Sequence, residues 1–138
     1  MNRPKAINAV TLEMFRDIDR ALDAFEADPA VALILLEGAG ERGLCAGGDI
    51  RGLYESSRAG GDLGKVFWRQ EYRMNARIAE FPKPYVAFMD GLVMGGGVGL
   101  SAHGRHRVVT ERTKLAMPEV GLGSFPDVSG TWLLLRSP

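Results

Sequence analysis

The chain has 138 residues, its 17 Lys and Arg balance 17 Asp and Glu, and 46% of it is hydrophobic. That suits one domain with a real core, and leaves no net field to draw nucleic acid or an anionic membrane. The lone Cys45 excludes an intramolecular disulfide, no Cys/His spacing suits a metal, no apolar run reaches the roughly 18 residues that span a bilayer, and the first residues carry no signal-peptide pattern.

Residues 1–9 start as extended chain around Arg3-Pro4-Lys5. Thr11 is an N-cap, and Glu13 sits in the first turn, where the helix dipole favours an acid. Leu12, Phe15, Ile18, Leu22 and Phe25 then form one apolar stripe, so the spacing predicts a helix over 11–27, stopped before Asp28-Pro29. Residues 31–37 lack polar alternation and predict a strand covered on both faces. After a glycine loop over 38–49, a short helix is expected at 50–55, and the Ser/Gly-rich 56–64 reads as flexible loop.

A second long helix is expected over 65–81, ended by Phe81-Pro82-Lys83-Pro84. Residues 85–89 read as a second buried strand, leading into Gly95-Gly96-Gly97 and a helix over 98–103. Short strands are expected at 106–110 and 114–117, a loop at 121–130 and a last helix from Thr131 to Leu135. Alternating helices and buried strands imply an α/β fold in one unit over 1–138.

Two strand-to-glycine-loop junctions stand out, 43–49 and 95–97. Glycine takes φ > 0 cheaply and lets a ligand approach the main chain. Two such loops can aim two backbone N–H groups at one oxygen, which is the construction of an oxyanion hole. The competing reading is a pair of tight turns. Gly97-Val98-Gly99-Leu100-Ser101-Ala102 formally fits a dinucleotide fingerprint, but it does not follow directly on the strand and carries no weight. Cys45 has no histidine near it in sequence and reads as a small buried hydrophobe, while His103 and His106 read as structural or exposed.

With these residues in view, the chain resembles the crotonase (enoyl-CoA hydratase/isomerase) superfamily. The resemblance rests on Asn2-Arg3-Pro4-Lys5-Ala6-Ile7-Asn8-Ala9, Cys45-Ala46-Gly47-Gly48-Asp49-Ile50, Asp90-Gly91 with Gly95-Gly96-Gly97, and Met117-Pro118-Glu119 with Gly121. Phe67-Trp68-Arg69-Gln70-Glu71-Tyr72, His103-Gly104 and Phe125-Pro126-Asp127-Val128 resemble its 3-hydroxyisobutyryl-CoA hydrolase branch. The resemblance implies a spiral of ββα units, present here only in part, because members begin with strands ahead of Asn2 and continue beyond Pro138. It implies an acyl-CoA substrate and no cofactor beyond the coenzyme A of that substrate. A homo-oligomer is compatible with it. The bacterial cytoplasm is the expected location, or the mitochondrion in a eukaryote.

The resemblance also assigns roles. The N–H groups of Gly48 and Gly96 hold the thioester oxygen. Glu119 attacks the thioester or activates water. Asp127 contacts substrate and takes part in proton transfer. Glu71, near the substrate hydroxyl, joins Ala46, Gly47, Asp49 and Ile50 in binding. Without the resemblance, Glu119 reads as a surface residue, Asp127 as a turn or cap, and Glu71 as an ion-pair partner of Lys65 or Arg69. Hydratases of the superfamily carry a second glutamate at position 99. Gly99 therefore argues against hydration, while isomerisation or a silent acyl-CoA-binding fragment stay open. Ser129 stands where the hydrolase pattern has glycine, and Ser124 replaces an apolar residue, so both bear on the loop that presents Asp127.

Overall fold

The structure is a computed structural model, and it describes residues 1–136. A 3-10 turn at Pro4–Ala6 precedes helix α1 (Leu12–Ala27) and strand β1 (Ile34–Leu36). Helices α2 (Ile50–Arg58) and α3 (Leu63–Glu80) follow, then β2 (Tyr85–Met89), β3 (Leu92–Met94) and α4 (Gly96–Ala102). Strands β4 (His106–Val109) and β5 (Lys114–Ala116), a 3-10 turn (Glu119–Leu122) and α5 (Gly130–Leu135) complete the described chain. Parallel pairing makes one sheet in the order β1-β2-β4 and a second of β3-β5.

Helix α1 forms as its stripe requires. Thr11 caps it, with its hydroxyl accepting from the Met14 N–H at 3.2 Å, and Phe15 and Leu22 are buried. Phe15 meets Phe67 of α3 with ring centroids 5.2 Å apart. Arg77 ties α3 to α1 at Asp19, Asp23 and Glu26.

Three sequence expectations change. Residues 56–58 continue α2 and only 59–62 turn, because Asp49 caps the helix by accepting from Gly52 N–H and the Ala59 N–H closes its last turn. Strand β3 is an element the glycine-rich reading passed over. It starts at the turn of Gly91, whose φ of +63° suits glycine, and it pairs with β5. The sheet is covered on one face. Ile34, Leu36, Tyr85, Ala87 and Met89 are buried against helices, whereas Leu35 is 55% and Phe88 40% exposed. With Val108, in register with Phe88, they form an apolar face on which no described element lies.

Candidate active site

The first glycine loop is held in place by its neighbours on both sides. Val10 N–H donates to Gly47 O at 2.8 Å, and Asp49 N–H donates to Val10 O at 2.8 Å. On the other side, Cys45 N–H donates to Leu92 O and Met94 N–H to Cys45 O, stitching the loop to β3. Asn8, fully buried, donates to Ala39 O and Gly43 O and accepts from Arg3 N–H. Its backbone, like that of Ile7, takes positive φ (54° and 48°), so the first nine residues serve as a buttress for the loop. Cys45 lies inside this network, its thiol donating to Asn8 O and pushed up to about 11 by burial. It packs as a small buried hydrophobe.

The second loop turns at Gly95, φ +47°, and opens α4. A β-carbon added to Gly96 would stand 3.5 Å from Gly48 N, so the two loops meet at their backbones. Neither the Gly48 nor the Gly96 N–H donates to another described residue. Both glycines line a cavity of about 300 Å³. Ala46, Gly47, Ile50, Glu71, Glu119 and Asp127 line it too, so most of the residues singled out in sequence come together. Asp49 does not line it: its carboxylate caps α2 and pairs with Arg3 at 3.1 Å.

Three carboxyl groups reach this cavity from separate elements. Glu71 of α3 is 1% exposed, not the solvent-facing ion-pair residue that its helix position allowed, and its Oε1 lies 2.6 Å from the place a β-carbon on Gly96 would take. Glu119 opens the 3-10 turn after β5, with its Oε1 2.6 Å from the place of a β-carbon on Gly95. Asp127 lies in the loop before α5. Each keeps one buried oxygen without a hydrogen-bond partner among the described residues. Burial, then Asp127 and Glu119, push Glu71 up to about 8. Glu119 is raised chiefly by burial, and Asp127 is raised by burial while Trp68 pulls it partly back.

The floor behind Gly96 closes on position 99. A β-carbon on Gly99 would sit 2.7 Å from Val128 Cγ1 and 2.8 Å from Asn75 Oδ1. Asn75 was not singled out in sequence. Its signal was its place one helical turn after Glu71, on the same face. It is 4% exposed, and both its polar atoms lack a partner among the described residues. Val128 and Ser129 both take positive φ, 46° and 61°, so the serine does occupy a left-handed position in the loop presenting Asp127. His103 Nε2 lies 2.9 Å from Val128 O and helps hold that loop.

Residues 1–138 match the family model described as Enoyl-CoA hydratase/isomerase. The chain is 52% identical to the mitochondrial 3-hydroxyisobutyryl-CoA hydrolase of Danio rerio and 49% identical to that of Homo sapiens. Each alignment covers 99% of this chain but only 36% and 35% of those proteins, so the chain spans about a third of their length. Among solved structures, it superimposes on a carnitinyl-CoA dehydratase from Mycobacterium thermoresistibile with a TM-score of 0.95 and 58% identity, over 100% of this chain and 41% of that one. An enoyl-CoA hydratase from Rhodobacter sphaeroides matches with a TM-score of 0.93 and 52% identity, over 99% and 41%. With its glycine loops meeting at one cavity and the family model matching it throughout, the chain belongs to the enoyl-CoA hydratase/isomerase, or crotonase, family.

Proposed function

We propose that this chain carries the thioester-binding and reacting groups of an acyl-CoA hydrolase acting on a short branched β-hydroxyacyl-CoA of the 3-hydroxyisobutyryl type. The observation that carries the reading is the meeting of Gly48 and Gly96 beside Glu71 and Glu119 at one cavity, with Val128 and Asn75 crowding any β-carbon at position 99. In this reading the Gly48 and Gly96 N–H groups hold the thioester oxygen as negative charge develops on it. Glu119 takes a proton from water as the water oxygen bonds to the carbonyl carbon, or attacks that carbon itself to form an acyl anhydride that water cleaves after coenzyme A has left. The carbon–sulfur bond then breaks, and coenzyme A leaves as the thiolate and gains the proton that the attacking water gives up. Asp127 contacts the acyl group and accepts or returns protons, while Ala46, Gly47 and Ile50 line the substrate's approach. The coenzyme A belongs to the substrate, and no further cofactor is invoked. The relatives named hydrolases are also named mitochondrial, and a eukaryotic source would put this chain there.

The dehydratase and hydratase among the matching structures favour a second reading, a crotonase reaction on the acyl chain that leaves the thioester intact. Free-thiol release from 3-hydroxyisobutyryl-CoA separates the two, because only hydrolysis frees coenzyme A. The hydrolase reading expects release by the parent and near-silence in Glu119→Gln. A folded parent that frees no thiol but shifts a double bond or hydroxyl would establish the second reading. Binding of acyl-CoA with no reaction at all would leave a silent binding unit.

A further inference from the structure

The carboxyl groups of Glu71, Glu119 and Asp127 share one cavity, and among the described residues no lysine or arginine lines it. An oxyanion forming there would meet up to three negative charges. Like charges held close together in a poorly solvated cavity repel one another strongly enough to offset much of what two N–H donors supply. A carboxyl that stays neutral when the thioester reacts removes one of those charges. Glu71 is the most enclosed of the three and stands against Gly96, one of the two oxyanion-site glycines. Its second oxygen has no partner among the described residues.

We propose that Glu71 works as a neutral carboxylic acid whose O–H is a third donor to the thioester oxygen, beside the N–H groups of Gly48 and Gly96. This role rests on the hydrolase reading above. The proton stays on Glu71 throughout, so no bond of this residue forms or breaks. The charged groups that act on it are Asp127 from the loop before α5 and Glu119 from the turn after β5, whereas Cys45 of the first glycine loop and Tyr72 of its own helix are themselves raised and stay neutral. Burial opposes a negative charge on Glu71 most strongly, and the two carboxyl groups act in the same sense, holding the acid up to about 8. Asn75, one turn further along α3, adds a neutral amide and no cation.

The test is the pH profile of kcat/KM for thiol release by the parent, Glu71→Gln and Glu71→Ala, with folding checked by near-UV circular dichroism. The parent should lose activity as pH rises through about 8, where Glu71 gives up its proton. Glutamine keeps a neutral donor that cannot ionise, so Glu71→Gln should stay within about tenfold of the parent at neutral pH and lose that alkaline fall. Glu71→Ala should drop roughly 100- to 1000-fold, as expected for loss of one oxyanion donor. An active parent with Glu71→Gln as damaged as Glu71→Ala, or with the alkaline fall intact in Glu71→Gln, overturns the donor role alone. A side-chain ¹³C titration of Glu71 with a midpoint near the ordinary 4.5 does the same. A parent that frees no thiol at any pH overturns both the hydrolase reading and this role.

Discussion

Glu119 and Gly95 approach each other through an atom glycine lacks: the Glu119 Oε1 lies 2.6 Å from where a β-carbon on residue 95 would stand. The same residue holds φ at +47°, which an L side chain rarely adopts. The backbone bend and the carboxylate's position are thus one constraint.

Gly95→Ala should therefore displace Glu119 as well as strain the turn. A misplacement near 1 Å costs on the order of 100-fold in rate, and thiol release should fall by about that much while substrate binding changes less. Parent-like turnover in Gly95→Ala would show that Glu119 is not held by this contact.

Position 99 tests how closed the floor is. Gly99→Ala puts a methyl against Val128 and Asn75, and overpacking of this kind typically costs about 1–3 kcal/mol. Gly99→Glu should cost more and should not confer hydration of an enoyl-CoA. A Gly99→Glu chain that folds normally and hydrates would show that Val128 and Asn75 yield easily.

The loop that presents Asp127 stores strain at two neighbours of unlike burial. Ser129→Gly relieves φ +61° at an exposed residue, and should raise stability by roughly 0.5–1 kcal/mol. Val128→Gly relieves φ 46° too, but removes a fully buried side chain worth about 1.5–3 kcal/mol, so it should destabilise. Urea midpoints read both signs, and a Ser129→Gly chain less stable than the parent would show that its left-handed backbone is not strained.

Stability should also fall as pH rises between about 4.5 and 8. In that window folded Glu71 keeps a proton that the unfolded chain has released, so the folded state binds more protons and loses ground with each pH step. Glu119 and Asp127, also raised, act with the same sign. Urea midpoints at pH 5, 6, 7 and 8 should decline for the parent and decline less for Glu71→Gln. An equal slope in both would place the linkage elsewhere.

Much of this was legible along the chain. The stripe Leu12, Phe15, Ile18, Leu22 and the cap Thr11 are local, and α1 formed where they placed it. The run Tyr85–Met89 made a strand with those bounds. Although Glu119 stood out only through the family resemblance, sequence alone also marked both glycine loops, because positive φ and bare backbone are demands one residue type answers. It could not say that residues 56–58 extend a helix, since the Asp49 cap and the closing bond at Ala59 outweigh local Ser/Gly content.

What only the tertiary structure decided was proximity. An ion-paired surface glutamate and a buried one look alike at position 71, and helix periodicity cannot choose between them. Packing of α3 over α4 makes the choice, because Gly96 and Gly99 leave room on one helix for Glu71 and Asn75 of the other. Asp49 was drawn the opposite way, out of the cavity and onto Arg3 and the start of α2, since a carboxylate at a helix N-terminus gains a cap and a partner there. Composition and spacing determined which residues could do chemistry. Burial beside two other carboxyl groups, a property of no single segment, is what pushes Glu71 up to about 8.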